Sequence, residues 1–204
     1  MKFSREYILK RAFDVFMTKG YDSTSISVLQ AEIGMSRGAM YRYFENKDDL
    51  FKAVIDEYFF KSFNKILSTI DKELTTLELI ELVSKKQKIL FRAFAKAGVT
   101  HTFFLNYTAL MIQAAKHYPN FVYRYRIIYN KLLDSWRKAL IRSIELGEVR
   151  KDVNIEIMSI LFNNVSVKES SERNEEEIHF PIKIKRDLDK REEVMRYLYE
   201  LIKV

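Results

Sequence analysis

From Ser4 to Gly20 the apolar residues Ile8, Leu9, Ala12, Phe13 and Phe16 recur three and four positions apart, the spacing of one buried stripe on a helix. Ser4 suits the cap and Gly20 the stop. The cluster Asp22, Ser23, Thr24, Ser25 offers side-chain acceptors to a second, short helix over 26–33, which ends at Gly34. Ser36 then caps a third helix reaching about Phe44, and Asn46 starts a fourth, with Asp48 and Asp49 suiting its positive end. Leu50, Val54, Tyr58, Phe63, Leu67 and Ile70 continue that fourth pattern without Gly or Pro, predicting one unbroken helix of ~25 residues, roughly 35–40 Å long.

Further helices are predicted over 77–97, 100–117 and 121–146, punctuated by Gly98, Pro119 and Gly147. Past Asp152 or Asn154 a helix carries Ile155, Met158, Leu161, Phe162 and Val165 before a polar loop, SSERNEEE. A last helix is expected over 188–203, with Leu188, Val194, Met195, Leu198, Leu201 and Ile202 on one face. The fold class is therefore all-α.

Composition narrows the function classes. With 48% hydrophobic and 31% charged residues the chain can bury a core, and 5 Gly with 2 Pro are too few for the turns of a β-sandwich or barrel. The absence of Cys excludes disulfides, thiolate metal sites and cysteine nucleophiles, and fits a cytoplasmic setting. The run 97–115 lacks Asp, Glu, Lys and Arg, but Thr100, His101, Thr102, Asn106, Thr108 and Gln113 interrupt it, so a helix buried in protein is expected and no membrane partner. The net charge of +7 suits an anionic partner. Residues 1–50 hold 8 basic and 7 acidic side chains and residues 51–150 hold 17 and 9, so nucleic-acid binding would have to rest on local placement near the N-terminus.

Two short helices joined at Gly34 describe a helix-turn-helix, whose second helix enters the major groove while the first braces it. The stretches Lys19-Gly20-Tyr21, Thr24-Ser25, Gly34-Met35-Ser36-Arg37-Gly38, Met40-Tyr41-Arg42-Tyr43-Phe44 and Asn46-Lys47 resemble the TetR family of bacterial transcriptional regulators, over about residues 5–55. Gln30 and Ile33 depart from the alanines usual in that family.

Each matched residue has a physical task. Ser36 can offer its hydroxyl and neighbouring amides to a phosphate, or serve as a plain N-cap. Arg37 and Arg42 can reach phosphates or guanine edges. Gly38, beside Ala39, lets backbone approach the sugar-phosphate chain, with close helix packing as the rival reason for a glycine. Tyr41 and Tyr43 each combine a phenol donor with an apolar ring, and Tyr41 is expected to face outward. Ser25 and Ser27 can brace the opposite strand, and Lys47 resembles the family's phosphate anchor. Leu29, Met40 and Phe44 are expected in the core.

A head of this kind reads half-sites about 34 Å apart, implying a homodimer on a near-palindromic double-stranded DNA operator. Met158, Leu161, Phe162, Val194, Leu198 and Leu201 are the interface candidates. The aromatic surroundings of 97–115 suggest a pocket for a small hydrophobic effector, with an acidic group as an option, and Phe94, His101, Phe104, Tyr107, Met111, Gln113, Tyr125 and Trp136 are the ligand-binding candidates. The resemblance implies a reading domain over 1–47 and an effector and dimerisation domain over 48–204, with effector binding releasing a repressor. The alternatives are a DNA-binding accessory factor without effector, or a helical enzyme using His101 or His117 with Asp134. For the latter no HExxH, phosphate loop or dinucleotide fingerprint speaks, so no catalytic residues, metal or cofactor are expected.

Overall fold

The computed structural model describes residues 3–68, 70, 73–96, 101–166 and 180–204. They form an all-α protein: α1 (Arg5–Lys19), α2 (Ile26–Ile33), α3 (Arg37–Met40), α4 (Lys47–Ile55), a π segment (Asp56–Phe60), α5 (Lys61–Leu67), α6 (Thr76–Lys96), α7 (His101–His117), α8 (Phe121–Glu145), α9 (Ile155–Asn164) and α10 (Phe180–Glu200). Among the described residues the sole β feature is one antiparallel bridge between Val149 and Lys203.

Helix starts follow local chemistry. The side chains of Ser4, Ser25, Ser36, Asn46 and Asn154 each accept the backbone N–H three residues on, satisfying a donor that the helix itself cannot. Gly20 ends α1 at φ 74°, ψ 166°, a conformation reserved almost wholly for glycine, and Gly34 ends α2 in the left-handed region at φ 77°, ψ 31°.

Three expectations need correction. The third helix is a single turn, Arg37–Met40, continued as turns to Tyr43 rather than as helix to Phe44. The fourth is not uniformly α-helical, because Asp56–Phe60 widen into a π turn before α5 resumes. The last helix begins at Phe180 instead of 188, since a proline in a first turn forfeits a donor that has no intrahelical acceptor.

The chain divides into two compact units, residues 1–65 with 102–126, and residues 66–101 with 127–204. In the first, Ile8, Leu9, Ala12, Phe16, Leu29, Ile33, Met40, Phe44, Leu50 and Phe51 are buried. Aromatic packing is dense: Phe51 stands edge-on to Phe16 at 5.1 Å, and Phe13 stacks on Tyr58 at 4.4 Å. At the π segment Asp56 accepts from Tyr118 Oη at 2.7 Å and from Arg124 at 2.5 Å, and burial raises its carboxyl pKa against the pull of Arg124.

In the second unit α6 packs on α10. Lys88 pairs with Asp189 and Glu192, both at 2.9 Å. The core there gathers Leu79, Ile80, Trp136, Leu140, Phe162, Met195 and Tyr199. Trp136 and Phe162 stack at 5.1 Å with planes 15° apart. Thr76 N–H donates to Ser143 Oγ at 2.8 Å, which donates to Glu148 at 3.1 Å. Among the described residues no helix is long and apolar enough to cross a membrane, and no group of three or more His, Cys, Asp or Glu could hold a metal ion.

Candidate nucleic-acid interface

The head is built around the α2–Gly34–α3 corner. Leu29, Ile33, Met35 and Met40 point inward, and Lys19 Nζ and Arg11 tie α1 to α2 through the Glu32 carboxylate (2.8 Å) and carbonyl (2.9 Å). The side left outward presents Ser36, Arg37, Gly38, Tyr41 and Arg42, all exposed. Ser36 Oγ accepts Ala39 N–H at 3.3 Å, so the cap is formed, and the hydroxyl keeps its own O–H to donate to a further acceptor. Arg37 lies 5.6 Å from the centre of the Tyr41 ring, which half-organises both side chains. Among the described residues no carboxylate or carbonyl engages Arg42.

Gly38 is informative because a Cβ built there meets nothing within 4 Å. Internal packing therefore does not demand glycine, which removes the rival explanation. What remains is a bare, exposed backbone on the outward face.

The carboxylates of Asp48 and Asp49 are engaged within the head itself. Asp48 accepts the Tyr21 hydroxyl, and Asp49 Oδ2 accepts Glu45 N–H at 3.2 Å while its own N–H donates to Asn46 at 2.8 Å. Ser25 caps α2 by accepting Val28 N–H at 3.2 Å and, like Ser27, is exposed; Ala39 is half-buried.

Two expected contacts are committed elsewhere. Tyr43 is half-buried and its hydroxyl donates to the Phe3 carbonyl at 2.7 Å. Lys47 is half-buried, donates to the Tyr21 carbonyl at 3.1 Å and sits 3.8 Å from the centre of that ring.

Tyr21 is the hub that sequence reasoning missed, because its partners come from positions far along the chain. Its N–H donates to Gln113 Oε1 at 2.7 Å, and its ring lies 4.5 Å from Phe51 and 4.2 Å from His117. His117 Nε2 is 3.0 Å from Asp22. Burial first, then the bond to Asp48, raise the Tyr21 pKa. The folded phenol thus keeps its proton at a pH where the unfolded one, near 10, has lost it, so stability is expected to fall as pH rises past about 10. Urea unfolding of the parent and Tyr21→Phe at about pH 8 and 11 checks this: the variant should lose less stability between the two. Burial likewise raises Tyr107 to about 12.

The other ligand and interface expectations separate clearly. Trp136 and Phe162 are 3% and 0% exposed and stacked on each other in the core of the second unit, so Phe162 offers no surface to a partner subunit, which corrects its assignment to the interface. Gln113 Oε1 accepts the Tyr21 N–H. Tyr107 and Met111 are half-buried, and Tyr125 is exposed beside Phe59 and Phe121. The side chains of Phe94, His101 and Phe104 lie outside the described residues. Met158, Val194 and Leu198 are half-buried and Leu161 and Leu201 exposed; α9 also exposes Ile157 and Ile160, which the sequence reading did not single out. Asp134 pairs with Lys138 at 2.9 Å.

This corner, with its capped α3 and outward arginines, defines a helix-turn-helix protein. Residues 8–54 match the family described as bacterial regulatory proteins, tetR family. The chain is 37% identical over 68 residues to the uncharacterized HTH-type transcriptional regulator YuxN of Bacillus subtilis (33% of this chain, 23% of that protein). It is 27% identical over 161 residues to the regulator YerO of the same organism (78% and 53%). The matches thus span about a quarter and about half of those relatives. In fold it is similar to SmeT, the repressor of the Stenotrophomonas maltophilia multidrug efflux pump SmeDEF, with TM-score 0.61, 16% identity and coverage of 100% and 92%. The match to the TetR family rests on residues 8–54, and over the whole chain the likeness to SmeT is one of fold.

Proposed function

We propose that the protein is a cytoplasmic, non-catalytic transcriptional regulator, a repressor that binds a near-palindromic double-stranded DNA operator as a homodimer and is released by a small hydrophobic effector. Residues 1–47 carry the DNA-contacting surface through Ser25, Ser27, Ser36, Arg37, Gly38, Tyr41 and Arg42. Residues 48–204 carry effector binding, with Tyr107, Met111 and Tyr125 as its candidates, and dimerisation. The dimer reading is supported by exposed apolar side chains on α9 and just past the end of α10, of which Leu161 is 44% and Leu201 52% exposed.

The observation that carries the DNA reading is the open backbone at Gly38 between the exposed cations Arg37 and Arg42. A methyl added there costs the fold nothing and by helix propensity stabilises it by up to about 1 kcal/mol. The same methyl would stand between backbone and a phosphate. Gly38→Ala is therefore expected to unfold at an equal or higher urea concentration while binding duplexes selected by the parent protein at least about tenfold more weakly, a loss of about 1.4 kcal/mol. Equal binding by the variant in a gel shift would refute close approach at this position. Selection from random duplexes tests the wider reading, and enrichment of inverted repeats is the expected result.

A further inference from the structure

The first turn of α1 is fastened to the end of the reading segment by contacts that no helix requires. Tyr43 Oη donates to the Phe3 carbonyl across 40 positions of sequence, at 2.7 Å. The Phe3 and Tyr7 rings lie 5.8 Å apart, and Tyr7 Oη donates to the Ile33 carbonyl at the corner itself, at 3.4 Å. The guanidinium carbon of Arg5 sits 5.4 Å from the centre of the Phe44 ring, which is itself buried. Arg5 is exposed and is held beside residues 43–44, directly after Tyr41 and Arg42. Asp56, a carboxylate its charge reaches, is already bound by Arg124 and Tyr118.

We propose that Tyr43 is a positioning residue rather than a DNA contact: its hydroxyl straps residues 3–5 to the reading segment, and Arg5, so placed, is a further phosphate contact of the head on duplex DNA. The inference rests on the DNA reading above. An arginine suits the task because its planar fork matches phosphate oxygens and never loses its charge. A cation parked over an aromatic ring keeps its outer N–H groups available, so the contact with Phe44 orients Arg5 without consuming it. Seen this way, the phenol at 43 adds to DNA affinity only through the cation it places.

The test uses the full chain and a duplex selected by it, with affinity measured against salt concentration for the parent, Arg5→Ala, Arg5→Lys, Tyr43→Phe and the double variant Arg5→Ala/Tyr43→Phe. Arg5→Ala should bind several-fold more weakly, with a log–log salt slope smaller by about one per reading head, and Arg5→Lys should restore the slope. Tyr43→Phe should weaken binding in the parent and add nothing in the Arg5→Ala background. Hydrogen exchange of residues 3–7 without DNA should quicken in Tyr43→Phe, a reading that needs no operator. An unchanged slope in Arg5→Ala overturns the contact, and independent, additive losses overturn the strap by showing that the Tyr43 hydroxyl meets DNA itself. A parent protein that binds no duplex refutes the DNA reading and Arg5's role with it, whereas unchanged exchange in Tyr43→Phe refutes the strap alone.

Discussion

Arg42→Ala is expected to reduce operator affinity by tenfold or more, with little change in thermal stability. The side chain is exposed, and among the described residues it has no hydrogen-bond or ion-pair partner, so truncation removes no contact that holds the head together. A guanidinium reading guanine contributes about 1–3 kcal/mol of discrimination, and a two-fold assembly uses it twice. Arg37 differs, since its guanidinium lies over Tyr41 and its removal also loosens that ring. The manner of loss is diagnostic. If Arg42 reads a base, preference at one operator position relaxes; if it meets phosphate, all sequences weaken together and the salt slope shrinks by about one per head. Unchanged gel-shift affinity at physiological salt would remove Arg42 from the interface.

Phe162→Ala should destabilise the protein by about 3–5 kcal/mol, the cost of a buried phenylalanine whose cavity cannot collapse. The ring is fully enclosed and stacked on Trp136, within the cluster that holds Leu140, Met195 and Tyr199. Denaturant unfolding reads the loss, and tryptophan fluorescence should report the disturbed stack directly, since the chain has 1 Trp. Its neighbour Leu161, 44% exposed, offers the contrast: Leu161→Asp should leave unfolding of the protomer nearly unchanged yet shift sedimentation toward monomer. Should Phe162→Ala unfold like the parent, the ring is not a core element and the distinction between the two positions fails.

What could be read without coordinates was mostly local. Ser4, Ser36 and Asn46 announce helix starts because a cap needs only an acceptor three residues from its donor. Gly34 marks the corner for a similarly local reason, and the burial of Leu29, Met40 and Phe44 follows from periodicity. The single-turn length of α3 was not legible, since polar, aromatic and apolar residues continue a helical pattern through Phe44 whether or not the backbone does. Nor was the π segment, which no propensity distinguishes from α-helix over Asp56–Phe60. Trp136 and Phe162 illustrate a different limit: an apolar side chain on a helix face looks the same whether it meets its own chain, a ligand or a second subunit. Gln113 reads as a ligand contact and Tyr43 as a DNA contact because the donor to Gln113 and the acceptor of Tyr43 lie 92 and 40 positions away.

The dependence of Tyr21 on Gln113 and His117 bears on how the protein is made. Residues 1–65 complete their compact unit only with 102–126. A nascent chain emerging from the ribosome therefore carries the helix-turn-helix corner for dozens of codons before the side chains that clasp Tyr21 are synthesised. Until then the Tyr21 amide lacks its acceptor and one side of its ring lacks cover. Excising the corner as a short peptide would freeze it in that unfinished condition.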